Sequence, residues 1–566
     1  ISPAMYRRIV KPLHKELFDF IHARTKAKLF FHSCGAIRPV IGDLIEIGVD
    51  IGLGNWIATT ARAGFFLLGQ FALTESTRTF EHAAGIGGMP QAPGIASRLE
   101  EWLRNHEPMP GAKFLQQAIP YAIKEFRFDR DAFVHELVDS IIGDNYPVPD
   151  RMLVHNERIT HEYLNWAMCG SDPNIGKFDL YAVEGGTAAM CYIFKSLKAN
   201  RLLNAGDTIA LGTPIFTPYL EMPHLEDYAL NVVFVNAERE DGFQFTEEDF
   251  KQLEDPKVKA FFLVNPGNPT AVALSQETRA RLVELVRTKR PDLIILTDDV
   301  YGTFVNGFRS LMADLPHNTI GVYSYSKYFG CTGWRLGVIA VHQKNILDEM
   351  IAKHDEEVLK KLDKRYGPIT LKPRELKFID RIVADSRDIA LNHTAGLSLP
   401  QQVMMSVFSL VELVDTEKAY QKACIEIVKR RVDALLEGVG TQVQLGPLFD
   451  NYYGLLDFEY WLRKNVSEEV VQYVKKNIHP LDIVFKLAED QSLGFERTAT
   501  LINAARKEFP NTLLLDNGDT IQGTALSDYQ ALVSPIACDQ TLAIYKVMNA
   551  AGFEGGGIGN HEFNYG

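Results

Sequence analysis

Between residues 178 and 323, short apolar segments recur at 178–183, 208–212, 258–264, 293–297 and 319–323, with helical patterns between them. Strands spaced in this way predict βαβ units, and so an α/β fold with a mostly parallel sheet and helices on both faces. Ligands of such an open sheet collect at the carboxyl ends of its strands. The polar residues of this region stand at those ends. The first segment is followed by Glu184-Gly185-Gly186-Thr187, a glycine turn opening a helix. Free N–H groups and the helix dipole attract an anion at such a turn. After the second comes Pro214-Ile215-Phe216, which offers an aromatic face to a flat ring. After the third comes Asn265-Pro266-Gly267-Asn268-Pro269-Thr270, whose asparagine suits a phenolate oxygen. The fourth gives Asp298-Asp299-Val300-Tyr301, a carboxylate and a phenol. The fifth runs into Ser324-Tyr325-Ser326-Lys327, with Arg335 eight residues beyond the lysine.

Lys327 focuses this set. Lysine forms Schiff bases with carbonyl compounds once its surroundings make the amine nucleophilic. Arginine clamps phosphate through paired hydrogen bonds, and a serine adds another donor. A lysine between phosphate-binding groups predicts pyridoxal 5′-phosphate (PLP), an aldehyde that carries a phosphate. A carboxylate opposite its pyridine nitrogen keeps the ring an electron sink. Taken singly, Gly-Gly-Thr is a helix-start turn, Asn-Pro a loop and Asp-Asp a helix cap. Their succession at the strand ends of one sheet is what argues for a site.

The order Gly-Gly-Thr, Pro-x-aromatic, Asn-Pro-x-Asn-Pro, Asp-x-x-Tyr and Ser-x-x-Lys-(x)7-Arg resembles the class I aminotransferases. Longer stretches, among them Ile142-Gly-Asp-Asn-Tyr-Pro-Val-Pro-Asp150 and Leu391-Asn-His-Thr-Ala-Gly-Leu-Ser-Leu-Pro-Gln401, resemble the L-aspartate 4-decarboxylase family over about residues 54–490. The resemblance implies a fold type I PLP-dependent transferase: a large domain at about 145–340, a charged helical insertion at 343–390, expected to be solvated, and a smaller α+β domain. It implies Lys327 as Schiff-base lysine and proton shuttle, Asp298 at the pyridinium nitrogen, and Asn268 with Tyr301 at the ring's phenolate oxygen. Phe216 would stack on the ring, while Gly185, Gly186, Thr187, Ser324 and Arg335 would hold the phosphate. The implied reaction is β-decarboxylation of L-aspartate to L-alanine and CO2, with transamination to a 2-oxo acid as a second activity. Thr270-Ala271 stands where the family usually has Thr-Gly. An aspartate aminotransferase without decarboxylation, or a PLP-binding chain with impaired catalysis, are the alternatives. The family also implies a cytoplasmic homo-oligomer built from dimers.

The ends of the 566-residue chain resemble other families. Residues 1–50, with Phe30-Phe31-His32-Ser33-Cys34, are similar to the C-terminal part of uroporphyrinogen decarboxylase and corrinoid methyltransferase proteins. His32 and Cys34 fall short of the three protein ligands that a zinc site needs. Residues 494–566 resemble the start of a metallophosphoesterase domain through Gly518-Asp519 and Gly559-Asn560-His561. Asp519 and Asn560 are the implied metal ligands and His561 the implied aid to the transition state. Two ligands do not assemble a two-metal clamp, so no functional metal is expected, and a metal-dependent nucleotide phosphoesterase is the less favoured reading. The chain is expected to be a mosaic in which a fused or misassembled gene joins partial domains to a nearly whole enzyme. The segment Asp50-Ile51-Gly52-Leu53-Gly54-Asn55-Trp56 lacks the arginine that the family carries there. The family's arginine for the substrate α-carboxylate is expected to be lost at the second junction.

Composition excludes other classes. With 46% hydrophobic and 23% charged residues, net charge −13 and no basic block, the chain predicts neither a nucleic-acid partner nor an unfolded one. The longest apolar run, at 65–73, is broken by Gly69-Gln70 and is too short to cross a membrane. The six cysteines are scattered without Cys-x-x-Cys spacing, as in a reducing compartment.

Overall fold

A computed structural model describes residues 6–23, 43, 46, 56–79, 94–109, 111–143, 146–389, 396–438, 446–455 and 458–478, with isolated positions at 515–516, 546, 548–549 and 555–556. The chain divides into two compact units, Gly54–Leu456 and a second made of Ile1–Leu53 with Asp457–Gly566.

The larger unit is built on seven strands: β1 (Phe178–Val183), β2 (Thr208–Thr213), β3 (Asn231–Asn236), β4 (Val258–Val264), β5 (Ile294–Asp298), β6 (Thr319–Ser324) and β7 (Gly337–His342). Their order is β1-β7-β6-β5-β4-β2-β3. β7 runs antiparallel to both of its neighbours, and every other pairing is parallel. The five expected strands are present. The edge strand β3 and the reversed β7 had not been read from the sequence.

Alternation along the strands shows why helices cover both faces. Ile209, Leu211, Ala260, Phe262, Ile294 and Leu296 enter one buried cluster, while Ala210, Phe261, Leu263 and Ile295 enter another. Successive side chains of a strand point to opposite faces, so a strand apolar at every position needs cover on each side. Helix α1 (Trp56–Thr79), α2 (Ala112–Phe126), α3 (Arg130–Ile142), α4 (Val154–Cys169) and α5 (Gly186–Ala199) belong to the first cluster's face. Helix α6 (Gln276–Thr288) buries Leu282, Leu285 and Val286 on the second. Helix starts are capped locally: Asp129 accepts from the Ala132 amide before α3, and Ser275 from the Thr278 amide before α6.

The charged insertion is helical as expected, with α7 (Glu356–Tyr366) and α8 (Phe378–Ile389). It is not wholly solvated. On α8, Phe378, Ile379, Ile382, Arg381 and Asp385 are buried, and the Asp385 carboxylate accepts from Ser196 of α5 at 2.6 Å. Its apolar stripe, hidden among charges in the sequence, closes the core over α5. Beyond it, α9 (Leu399–Val414) packs on α1, α2, α3 and α4, and is followed by α10 (Ala419–Gly438). One antiparallel bridge, Val272 to Phe449, ties the following segment to the sheet domain.

In the second unit the described parts include helices Lys11–His22, Phe458–Asn465 and Glu468–Asn477, and a two-residue parallel pairing of Leu515–Asp516 with Gly555–Gly556. The Lys11 ammonium bonds both Asp43 and Glu46 at 2.7 Å. His32, Cys34, Asp519, Asn560 and His561 lie outside the described residues. No described helix is long and apolar enough to cross a membrane, and no described group of His, Cys, Asp and Glu is placed to hold a metal ion.

Candidate active site

The sheet register decides which residues meet. Val183 at the end of β1 and Ser324 at the end of β6 both pair with Gly337 at the start of β7. Asp298 at the end of β5 pairs with Val264 and Val322. The polar residues flanking these positions therefore share one edge of the sheet. They line a cavity of about 160 Å³ whose walls include Gly186, Thr187, Phe216, Asn268, Asp298, Tyr301, Ser324, Lys327 and Arg335. Gly185 stands just behind. Its φ is +93°, and a Cβ there would lie 2.7 Å from the Arg335 guanidinium. Only glycine gives that backbone and that close approach.

Helix α5 begins at Gly186, and no side chain caps its first turn. Its leading N–H groups have no partner within the helix and suit an anion, and Thr187, Ser324 and Arg335 line the cavity beside Gly186. The Ser324 hydroxyl lies 3.0 Å from that of Ser326 and donates to the Leu336 carbonyl at 3.2 Å. Arg335 is held by the Thr332 and Glu184 carbonyls at 3.2 and 3.3 Å.

The two adjacent aspartates separate by direction. Asp298 is 6% exposed and borders the cavity, where its Oδ2 accepts from the Tyr219 phenol at 2.7 Å and its Oδ1 from the Val300 amide at 3.3 Å. Burial raises its carboxyl to about 6, opposed by Tyr219, by Val300 and by the charge of Lys327. Asp299 accepts instead from the Thr297 and Ser310 hydroxyls, and burial pushes it up to about 7. It pins the turn after β5.

Across the cavity the Asn268 amide points to the Tyr301 hydroxyl at 3.4 Å, and the Tyr301 hydroxyl lies 2.7 Å from that of Tyr453. Burial and the neighbouring phenol raise the Tyr301 pKa. Phe216 is 38% exposed and packs edge-on against Tyr219 with centroids 5.3 Å apart. The Lys327 ammonium sits 6.0 Å from the Tyr452 ring centroid. Ala271, where the resembling family has glycine, takes φ +60°, a left-handed conformation that costs a Cβ-bearing residue about 1 kcal/mol. Asn268 keeps its place.

Tyr219, Ser326, Thr332 and Tyr453 also line the cavity and were not assigned from the sequence. Tyr219 stands three residues after Phe216, one helical turn on, and that spacing was a usable signal. Nothing links Tyr453 to Tyr301 in the sequence, because 152 positions separate them. The arginine lining this cavity among the described residues is Arg335. The described cysteines, Cys169, Cys191, Cys331 and Cys424, are free thiols.

The donor set fits PLP. It joins a primary amine, a buried carboxylate, an amide–phenol pair and an anion cradle whose glycine turn has no room for a side chain. These match in turn an aldehyde, a ring nitrogen, a phenolate oxygen and a phosphate.

Residues 183–375 match the family model for aminotransferases of class I and II. The bifunctional aspartate aminotransferase and L-aspartate beta-decarboxylase of a Pseudomonas species is 44% identical over 460 residues, which covers 81% of this chain and 87% of that protein. A separate 82-residue match, 45% identical, is to the 2′,3′-cyclic-nucleotide 2′-phosphodiesterase/3′-nucleotidase of Yersinia enterocolitica, and the metallophosphoesterase-like segment accounts for it. That match spans 14% of this chain and 12% of the nucleotidase's length. Among solved structures, a Thermus thermophilus aspartate aminotransferase mutant aligns at 19% identity and TM-score 0.38, over 58% of this chain and 72% of its own. By the extent of the Pseudomonas match, the chain belongs to the family of bifunctional aspartate aminotransferases and L-aspartate beta-decarboxylases, within the class I and II aminotransferases.

Proposed function

We propose that this chain binds PLP at the edge formed by β1, β5 and β6 and catalyses β-decarboxylation of L-aspartate to L-alanine and CO2, with transamination of aspartate as a second activity. The observation that carries the reading is that Lys327, Asp298 and the Gly186–Arg335 anion cradle border one cavity. When bound, PLP supplies an aldehyde for condensation with an amine and a ring that accepts electrons.

The chain's own residues do the rest. Lys327 would present its Nζ to the aldehyde, and its amine would carry the α-proton of the substrate. Asp298, whose Oδ2 is held by Tyr219, would face a protonated ring nitrogen, and its burial would strengthen that attraction. Asn268 and Tyr301 bond the phenolate oxygen. Thr187, Ser324, Arg335 and the first amides of α5 bind the phosphate, and Phe216 walls one face of the ring. In the net reaction the bond between Cβ and the side-chain carboxylate breaks, its electron pair stays with Cβ, and Cβ gains a proton.

We also infer a cytoplasmic enzyme that assembles as dimers or multiples of dimers. The expected test outcome is a visible Schiff-base absorption when the whole chain is mixed with PLP, and its loss in Lys327→Ala. Aspartate turnover in that variant should fall by about 10⁴-fold or more, since positioned proton transfer alone can contribute that much. An unchanged spectrum in Lys327→Ala sinks the reading. Alanine should exceed oxaloacetate among the products; oxaloacetate alone would leave a transaminase only.

A further inference from the structure

Lys327 is flanked by a residue that turns the other way. Lys327 faces the cavity, while Tyr328 is 2% exposed and reaches into the helical layer. There its phenol donates to Glu412 Oε1 on α9 at 2.8 Å. Its carbonyl accepts from the Tyr420 phenol on α10, also at 2.8 Å. The Tyr328 ring packs edge-on against Tyr420 and Phe304, with centroids 5.2 and 5.7 Å apart. Phe304 packs in turn on Tyr452, the ring beside the Lys327 ammonium. The turn is therefore held at the side chain and at the backbone of the residue next to the lysine.

Glu412 is an expensive way to fill that space. Its side chain has no exposed surface, and Oε2 has no hydrogen-bond partner. The nearest cation, Lys418, has its Nζ 3.8 Å from Oε2 and donates instead to the Glu412 carbonyl. Lys418 also lies 4.3 Å over the Trp166 ring. Burial raises the Glu412 carboxyl to about 7, which Tyr328 and Lys418 oppose. A half-satisfied buried carboxylate is less favourable than an apolar side chain of similar volume. The leucines and valines around it on α9 show that the helix has such side chains at hand. Packing alone does not explain an acid here.

We propose that Tyr328 and Glu412 are positioning residues, whose hydrogen bond fixes the peptide after Lys327 so that its Nζ meets the cofactor aldehyde in the reactive geometry. This rests on the PLP reading above. The bond acts first on the lysine. Ser324 and Arg335 share its segment but are held by their own bonds to Leu336, Thr332 and Glu184. The remaining phosphate and ring contacts come from the end of β5, from Phe216 and Asn268 and from the start of α5.

The test compares PLP with pyridoxine 5′-phosphate, which has an alcohol in place of the aldehyde and forms no Schiff base. Both are titrated into the full chain and into Tyr328→Phe, Glu412→Leu and Glu412→Gln, with thermal unfolding recorded for each. Tyr328→Phe and Glu412→Leu are expected to weaken Schiff-base formation about tenfold, the scale of a hydrogen bond to a charged group. Binding of pyridoxine 5′-phosphate should stay within about twofold, and Glu412→Gln, which keeps an acceptor for the phenol, should recover most of the loss. Parallel loss of both ligands, no loss of either, or a Glu412→Gln as defective as Glu412→Leu overturns the proposal. If Tyr328→Phe does not fold, the two Glu412 variants decide it. If the unaltered chain forms no Schiff base at Lys327, the PLP reading itself fails and takes this one with it.

Discussion

The two sides of Lys327 are built differently. On the sheet side, groups at the ends of β1, β5 and β6 are short side chains or backbone amides fixed by strand register, and they open into the cavity. On the helix side, α9, α10 and the turn between them present Glu412, Tyr420 and Lys418. Glu412 and Tyr420 bond Tyr328, Lys418 lies beside Glu412, and none of them lines the cavity. The first side has the chemistry to bind a ligand. The second has the rigidity to aim a nucleophile. A site that combines them can keep its cofactor while losing its alignment, and the reverse failure is equally open to experiment.

The comparison breaks most easily at Asp298. Asp298→Asn should lower turnover on the order of 10²- to 10³-fold, because losing one partner of a buried charge pair costs about 3–5 kcal/mol. Steady-state assays would show it, and a smaller loss than in Tyr328→Phe would invert the ranking of the two sides. Arg335→Ala comes next. Cofactor affinity should fall about tenfold, a charge-assisted bond discounted for its exposed position at the rim, and a fluorescence titration with inorganic phosphate as competitor would measure it.

The smallest expected effect sharpens the comparison. Asp298 has a raised carboxyl near 6, so below that pH it is neutral and offers no charge to a protonated ring nitrogen. Cofactor affinity should therefore be full above about pH 6 and decline as pH falls through it. Tyr219 donates to the ionised form and holds that value down. Tyr219→Phe should move the midpoint upward by about one pH unit, the worth of one hydrogen bond to a charged group. A midpoint that stays put would mean that Asp298 is not the group titrating.

Much of the sheet side was legible because its signals are local. Gly185-Gly186 announces a turn before a helix, Pro and Asn break the strands, and Lys327 and Arg335 lie on one short segment. Residue type and spacing alone did not separate Asp298 from Asp299, since both follow the same strand and differ only in direction. The family resemblance pointed to Asp298, and it is Asp298 that borders the cavity. It also hid the burial of α8, where Phe378, Ile379 and Ile382 sit among charged neighbours that mask their stripe.

The chain's sequence by itself determined the α/β alternation and singled out the strand ends, the lysine and the anion-binding groups as candidates for chemistry. Those follow from periodicity and residue type, which short-range sterics and polarity impose. Tertiary structure alone decided the reversed β7 that sets Val183 and Ser324 opposite one residue, Gly337. It alone placed Tyr453 on Tyr301 and Glu412 on Tyr328. Those contacts join positions 152 and 84 residues apart. They exist because packing both faces of one sheet leaves few arrangements that fill the core and satisfy its buried polar groups.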